Sequence, residues 1–122
     1  MSSKKELKEA YKQMKTPKGV FQIRNTSNGK IFVEGSLNLK AIWNRYQLQL
    51  EMGSHPSPSL QADYRAFGPD CFVFEILAEL DEENDDRKDV DWAKELKLLE
   101  ALYLEELQPF EEKGYNRKPK NL

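Results

Sequence analysis

Asn25-Thr26-Ser27-Asn28-Gly29 lies between two short apolar runs, Val20-Phe21-Gln22-Ile23 and Ile31-Phe32-Val33. An Asn-Gly pair between such runs is a strong hairpin signal, because both residues tolerate positive φ. β-Branched and aromatic side chains suit a pleated surface. The chain is therefore expected to fold around an antiparallel hairpin with strands near 19–24 and 30–34. A two-residue turn at Asn28-Gly29 would pair Phe21 with Ser36 and put Phe21 and Phe32 on one face, since side chains alternate. A longer loop would shift that register.

Helices are expected on either side. Ser3-Lys4-Lys5-Glu6 has the form of a capping box, and Leu7, Ala10, Tyr11 and Met14 follow at helical spacing. This predicts a helix over 3–15, ended by Thr16-Pro17. Its lysines form a phosphate-facing surface or simply a solvated face. Asn38 is a good N-cap, and Leu39, Ile42, Trp43, Tyr46 and Leu50 make an apolar stripe for a helix near 39–52. Ser57-Pro58 has the form of a helix start, and Leu60, Tyr64 and Phe67 supply the buried side of a helix near 58–67. Phe72-Val73-Phe74-Glu75-Ile76-Leu77 reads as a strand over 72–78. The acidic run Glu79 to Asp91 reads as a solvated loop. Trp92, Leu96, Leu99, Tyr103 and Leu107 line one face of a last helix over 91–107. The tail docks in part as far as Asn116 and is expected to be loose from Arg117 onward. The fold class is thus α/β of the α+β type: a small three-stranded antiparallel sheet flanked by helices, with an extra N-terminal helix. Phe21, Phe32, Trp43, Tyr46, Phe74, Leu96 and Tyr103 are expected to share one core or one cleft wall.

At 122 residues the chain fits one domain over 1–122. Hydrophobic residues are 39% and charged residues 33%, a globular balance. No apolar run approaches the roughly 20 residues that span a bilayer, so no membrane partner is expected. The polar N-terminus lacks a signal-like apolar segment, and a cytoplasmic protein is expected. Cys71 is the only cysteine, which excludes an internal disulfide and a multi-thiolate metal site; it reads as a small buried hydrophobe. Residues 1–65 carry 11 Lys/Arg against 5 Asp/Glu, a balance of +6, and residues 66–122 carry 8 against 16, a balance of -8. The basic half could face phosphate, or charges on two solvated faces have merely segregated.

Glu100 stands out on helical geometry alone. It falls about 40° from Leu96, at the edge of the buried stripe, at 3.6 residues per turn. A carboxylate there needs a metal, an arginine or backbone donors, unless it is half-exposed and paired with a lysine.

The hairpin motifs, read together, resemble those of the GIY-YIG nuclease family. Gly19-Val20-Phe21 stands where the family has Gly-Ile-Tyr, and Phe32-Val33-Glu34 where it has Tyr-Ile-Gly. Glu100-Ala101-Leu102-Tyr103-Leu104 is similar to the family's Glu-x-x-Tyr-Leu, and Gly114-Tyr115-Asn116 to its C-terminal edge. Gly53-x-His55, Leu60-Gln61, Phe67-Gly68 and Phe72-x-x-x-Ile76-Leu77 resemble the phage homing-endonuclease branch. The likeness spans about 19–116. It implies phosphodiester hydrolysis, with double-stranded DNA as partner and one divalent metal, Mg²⁺ or Mn²⁺, at Glu100. The implied catalytic positions are Phe21, Phe32, Ile42, Tyr46, His55 and Asn116. Three of them have lost the family's group: Phe21 and Phe32 lack hydroxyls, and Ile42 replaces an arginine. Glu34, in place of the motif glycine, would repel nucleic acid or serve as an extra metal ligand. Lys30, Lys40 and Arg45 are the basic residues that would face nucleic acid, with surface solvation the alternative for Arg45. His55 is catalytic, a base contact or a plain loop residue; its polar loop is not expected to bury it deeply. The implied function is an endonuclease-like domain with lost or strongly reduced cleavage, kept for binding DNA or a protein. The alternatives are an active metal-dependent endonuclease and a protein-interaction module without nucleic acid; an inactive domain would need no metal.

Overall fold

The structure, a computed structural model, describes residues 17–82 and 84–118. The helix expected over 3–15 lies outside the described residues. In chain order the elements are β1 (Lys18–Asn25), β2 (Ile31–Ser36), α1 (Leu39–Met52), α2 (Pro58–Phe67), β3 (Phe72–Leu80) and α3 (Trp92–Leu107). The three strands form one antiparallel sheet in the order β2-β1-β3. No helix among the described residues is long and apolar enough to cross a membrane.

Local chemistry sets the helix ends. The Asn38 side chain accepts from the Ala41 N–H, Ser57 from Leu60 and Asp91 from Lys94, so each helix starts on a capping oxygen. Gly53 closes α1 in the left-handed conformation.

The hairpin register differs from the two-residue-turn expectation. Phe21 pairs with Glu34, not Ser36, and Ile23 pairs with Phe32. The loop takes four residues, 26–29. The Asn25 N–H donates to Lys30 O at 2.9 Å, and the Gly29 N–H donates to Asn25 O at 2.8 Å. The Asn25 side chain holds the loop by accepting from the Ser27 N–H at 2.9 Å, and Gly29 takes φ 78°. The slip is two residues, so side-chain faces are unchanged, and Phe21, Phe32 and Glu34 share a face.

Helices cover both faces of the sheet. α1 and α2 pack on Phe21, Ile23 and Phe72, where Leu39, Ile42, Tyr46, Leu50, Leu60 and Tyr115 complete a core with Phe32, Trp43 and Phe74 at its margin. α3 packs on Val20 and Val33 through Leu96, with Leu99 and Tyr103 alongside. Leu96 and Tyr103 therefore do not share the core of the other five residues expected with them. Strand alternation sends Val20 and Phe21 to opposite faces, so one sheet needs two cores.

Three smaller expectations shift as well. β3 continues to Leu80, so the acidic loop begins at 81. Phe67 is 43% exposed, because burial falls along α2 from Leu60 and Gln61 through Tyr64 to its last residue. Cys71 is half-buried at the core margin and accepts the Ser27 hydroxyl hydrogen at 3.1 Å.

Candidate functional site

β2 is an edge strand, and its outward backbone groups are paired by the C-terminal segment and α3. The Tyr115 N–H donates to Ile31 O at 2.9 Å. Asn116 uses its whole amide on one residue: Oδ1 accepts from the Val33 N–H at 2.8 Å, and Nδ2 donates to Val33 O at 2.7 Å. The Gly35 N–H donates to Glu100 Oε2 at 2.7 Å. Edge groups left unpaired invite another strand; here these are satisfied in place. A backbone donor, one of the partners weighed for Glu100, is thus in place. Gly35 allows the contact, since a Cβ on it would lie 3.0 Å from the Leu96 side chain and 3.2 Å from Glu100 Oε2. The close approach that favours glycine thus falls one residue after the motif position occupied by Glu34.

On the other side of β2 a cavity of about 550 Å³ opens between the hairpin, α1, the 53–59 loop and the C-terminal segment. Phe32, Tyr46, His55 and Asn116 line it together, with Glu34. Lys30 and Arg117 supply positive charge to its wall, and the Lys30 ammonium sits 5.7 Å from the Tyr115 ring centroid. Arg117, expected in a loose tail, is thus placed at the cavity, directly after Asn116.

Not every candidate reaches the cavity. Phe21 is fully buried behind it, edge-on to Tyr46 at 6.2 Å and 4.9 Å from Phe74. Ile42 is 7% exposed in the same core. Arg45 lies outside, with its guanidinium 5.8 Å from the Tyr46 ring centroid, and Lys40 is exposed on α1. Glu100 arrives from the α3 face around the sheet edge.

Two polar groups in the wall are held in unusual states. The Tyr46 hydroxyl donates to Glu34 Oε2. Burial, with the Glu34 hydrogen bond and charge, pushes the phenol well above its ordinary range. Burial also raises the Glu34 carboxyl, against the hydrogen bond from Tyr46; the charge of Glu100 adds to the rise and that of Arg45 opposes it.

His55 is 7% exposed, so its polar loop does bury it. The cause is Gln61, itself 8% exposed. Its Oε1 accepts from the His55 N–H at 3.1 Å, and its Nε2 donates to Leu50 O at 2.9 Å, which ties the loop to the end of α1. Sequence reasoning missed this role; Gln61 directly after buried Leu60 was the available signal. The His55 ring stands edge-on to Tyr46 at 4.4 Å and Phe32 at 5.6 Å. The Ser57 N–H donates to Nδ1 at 3.0 Å, which leaves the neutral ring's proton on Nε2. Nε2 is buried and has no hydrogen-bond partner among the described residues. It is therefore a buried N–H at the cavity wall without an acceptor among those residues.

Burial lowers the His55 pKa to about 4. The unfolded chain holds this proton up to about 6.5 and the folded chain does not, so stability rises with pH across that window. The contribution is complete above about 6.5 and is lost as pH falls towards 4, roughly 3 kcal/mol at most. His55→Gln is expected to remove this rise. Urea midpoints measured from pH 4 to 7 check it, and parallel curves for the two proteins would disprove it.

Tyr115 pins the C-terminal segment. Its hydroxyl donates to Asp63 at 2.7 Å and accepts from Asn25 at 3.2 Å. Burial and Asp63 raise its pKa to about 12. This long-range network is the second feature that the sequence did not disclose.

No group of three or more His, Cys, Asp or Glu side chains able to hold a metal ion stands together among the described residues. Glu100 is a single carboxylate with one oxygen on a backbone N–H. That suits a hard divalent ion held by one protein carboxylate together with substrate phosphate and water.

The chain is 36% identical over 81 residues to intron-associated endonuclease 1 of Enterobacteria phage T4. That match covers 64% of this chain and 32% of the relative, so it spans about a third of the relative's length. Among solved structures, the catalytic domain of homing endonuclease I-TevI superimposes with a TM-score of 0.68 at 28% identity, over 84% of this chain and 99% of that domain. A point variant of the same domain gives 0.67 at 28% identity, over 83% and 93%. No protein-family model matches the chain.

Proposed function

The chain carries a GIY-YIG endonuclease-like domain, and from that premise we propose that it binds the backbone of double-stranded DNA with strongly reduced phosphodiester cleavage. One observation carries the reading. The cavity joins Tyr46, His55 and Asn116 to two cations, Lys30 and Arg117, while Phe32 in its wall offers no hydroxyl and Ile42 lies in the core with no charge to offer. The site keeps two cations that can hold a phosphate and lacks groups that move its protons and charge. Glu100 is the residue that would hold Mg²⁺ or Mn²⁺, an ion that would supply positive charge to the phosphate.

Binding to a duplex should weaken steeply as salt rises, since phosphate contacts release counterions. Nicking of plasmid DNA with Mg²⁺ or Mn²⁺ is expected at least ~10²-fold below that of an active family member, because one missing charge-stabilising donor costs about 10²–10³ and a missing base about 10²–10⁴. Cleavage that remains should vanish in Glu100→Ala. Vigorous cleavage that depends on Glu100 would establish the active endonuclease instead, a reading that Tyr46 and His55 in one cavity favour. Failure to bind duplex DNA at low salt would sink both and leave the protein-interaction module.

A further inference from the structure

We propose that Glu34 is a built-in occupant of the cavity's anion seat, and that it sets how tightly the cavity holds a phosphodiester. This rests on the DNA-backbone reading above. The Tyr46 hydroxyl is a neutral donor in the cavity wall, and a phenol has one hydrogen to give. In this structure it gives that hydrogen to Glu34 Oε2. Arg45 lies over the Tyr46 ring, and its positive charge acts on this carboxylate as well. A phosphate oxygen that takes the Tyr46 hydroxyl must first displace an anion already bound there.

The competitor cannot drift away. Glu34 sits in the middle of β2, opposite fully buried Phe21 on the central strand. The pairing register directs its side chain to the face that carries Phe32 and Tyr46. Moving it to the other face would need a one-residue slip of the whole strand, which Asn116 and Glu100 oppose by holding Val33 and Gly35.

The test is the affinity of the full chain for a short fluorescein-labelled duplex at low salt. Glu34→Ala is expected to tighten binding about tenfold, the scale of one charge-assisted hydrogen bond. Glu111→Ala removes a negative charge from the same cavity wall and should gain clearly less. Tyr46→Phe alone should change affinity less than about twofold, because its hydroxyl is already committed. Added to Glu34→Ala, it should cancel most of the gain. Glu34→Gln, which keeps volume and an acceptor while dropping the charge, should fall between wild type and Glu34→Ala; it serves as the lead variant if the alanine form does not fold. The inference is overturned if wild type binds in a salt-dependent way but Glu34→Ala gains no more than Glu111→Ala. It is equally overturned if the gain survives Tyr46→Phe. If no form binds the duplex, the DNA-backbone reading fails and takes this one with it.

Discussion

Restoring four groups at once, through Phe21→Tyr, Phe32→Tyr, Glu34→Gly and Ile42→Arg, is expected to raise Mg²⁺-dependent nicking of plasmid DNA at least ~10²-fold, the lower bound for one recovered donor or base. Each change answers one defect: two hydroxyls, one competing anion and one phosphate clamp. The structure separates their costs. Phe32 lines the cavity, so its new hydroxyl meets solvent. Phe21 is fully buried, and a hydroxyl there costs about 1–3 kcal/mol unless it finds an acceptor. Ile42 lies one turn before Tyr46 in the core, on the same helix face. An arginine there must run its stem past Tyr46 to bring its charge to the cavity. Single reversions should do little, since groups that act as a unit are strongly non-additive. Nicking is to be scored per folded molecule, with circular dichroism alongside and Glu100→Ala added as control. A folded fourfold variant that does not nick, or one whose nicking survives the loss of Glu100, would show that these positions do not form one active site.

Phe21→Ala should destabilise the fold by about 3–5 kcal/mol, the range for a buried aromatic cut to a methyl. Phe21 is on the central strand, is fully buried, and packs against both Tyr46 and Phe74. α1 and the sheet meet there, so little can collapse into the gap. Phe32→Ala, from a half-buried ring at the cavity mouth, should cost clearly less. Urea unfolding measures both, with an unchanged m-value as the sign that stability alone has moved. A loss below about 1.5 kcal/mol for Phe21→Ala would mean that the central strand does not anchor this core.

The sequence by itself determined the elements whose signals are local. α1 at Leu39–Met52 and α2 at Pro58–Phe67 begin and end where Asn38, Gly53, Ser57-Pro58 and Gly68 place them. Caps and turn residues act through hydrogen bonds within a few positions, so their effect can be read along the chain. The hairpin's existence was legible for the same reason. Its register was not: the Asn25 side chain and the Lys30 carbonyl close a four-residue loop, and residue types alone do not fix which closure wins. Only the tertiary structure decided that Leu96 and Tyr103 pack on the face opposite Phe21. It also decided that Gln61 draws His55 inside, that Glu100 ends on the Gly35 N–H, and that Tyr46 gives its hydroxyl to Glu34. Three of those outcomes join elements through the faces of the sheet or around its edge, and the Gln61 contact joins α2 to the 53–59 loop and the end of α1. A side chain's partner there depends on pairing register and on which helix covers which face, and neither is encoded at the residue itself.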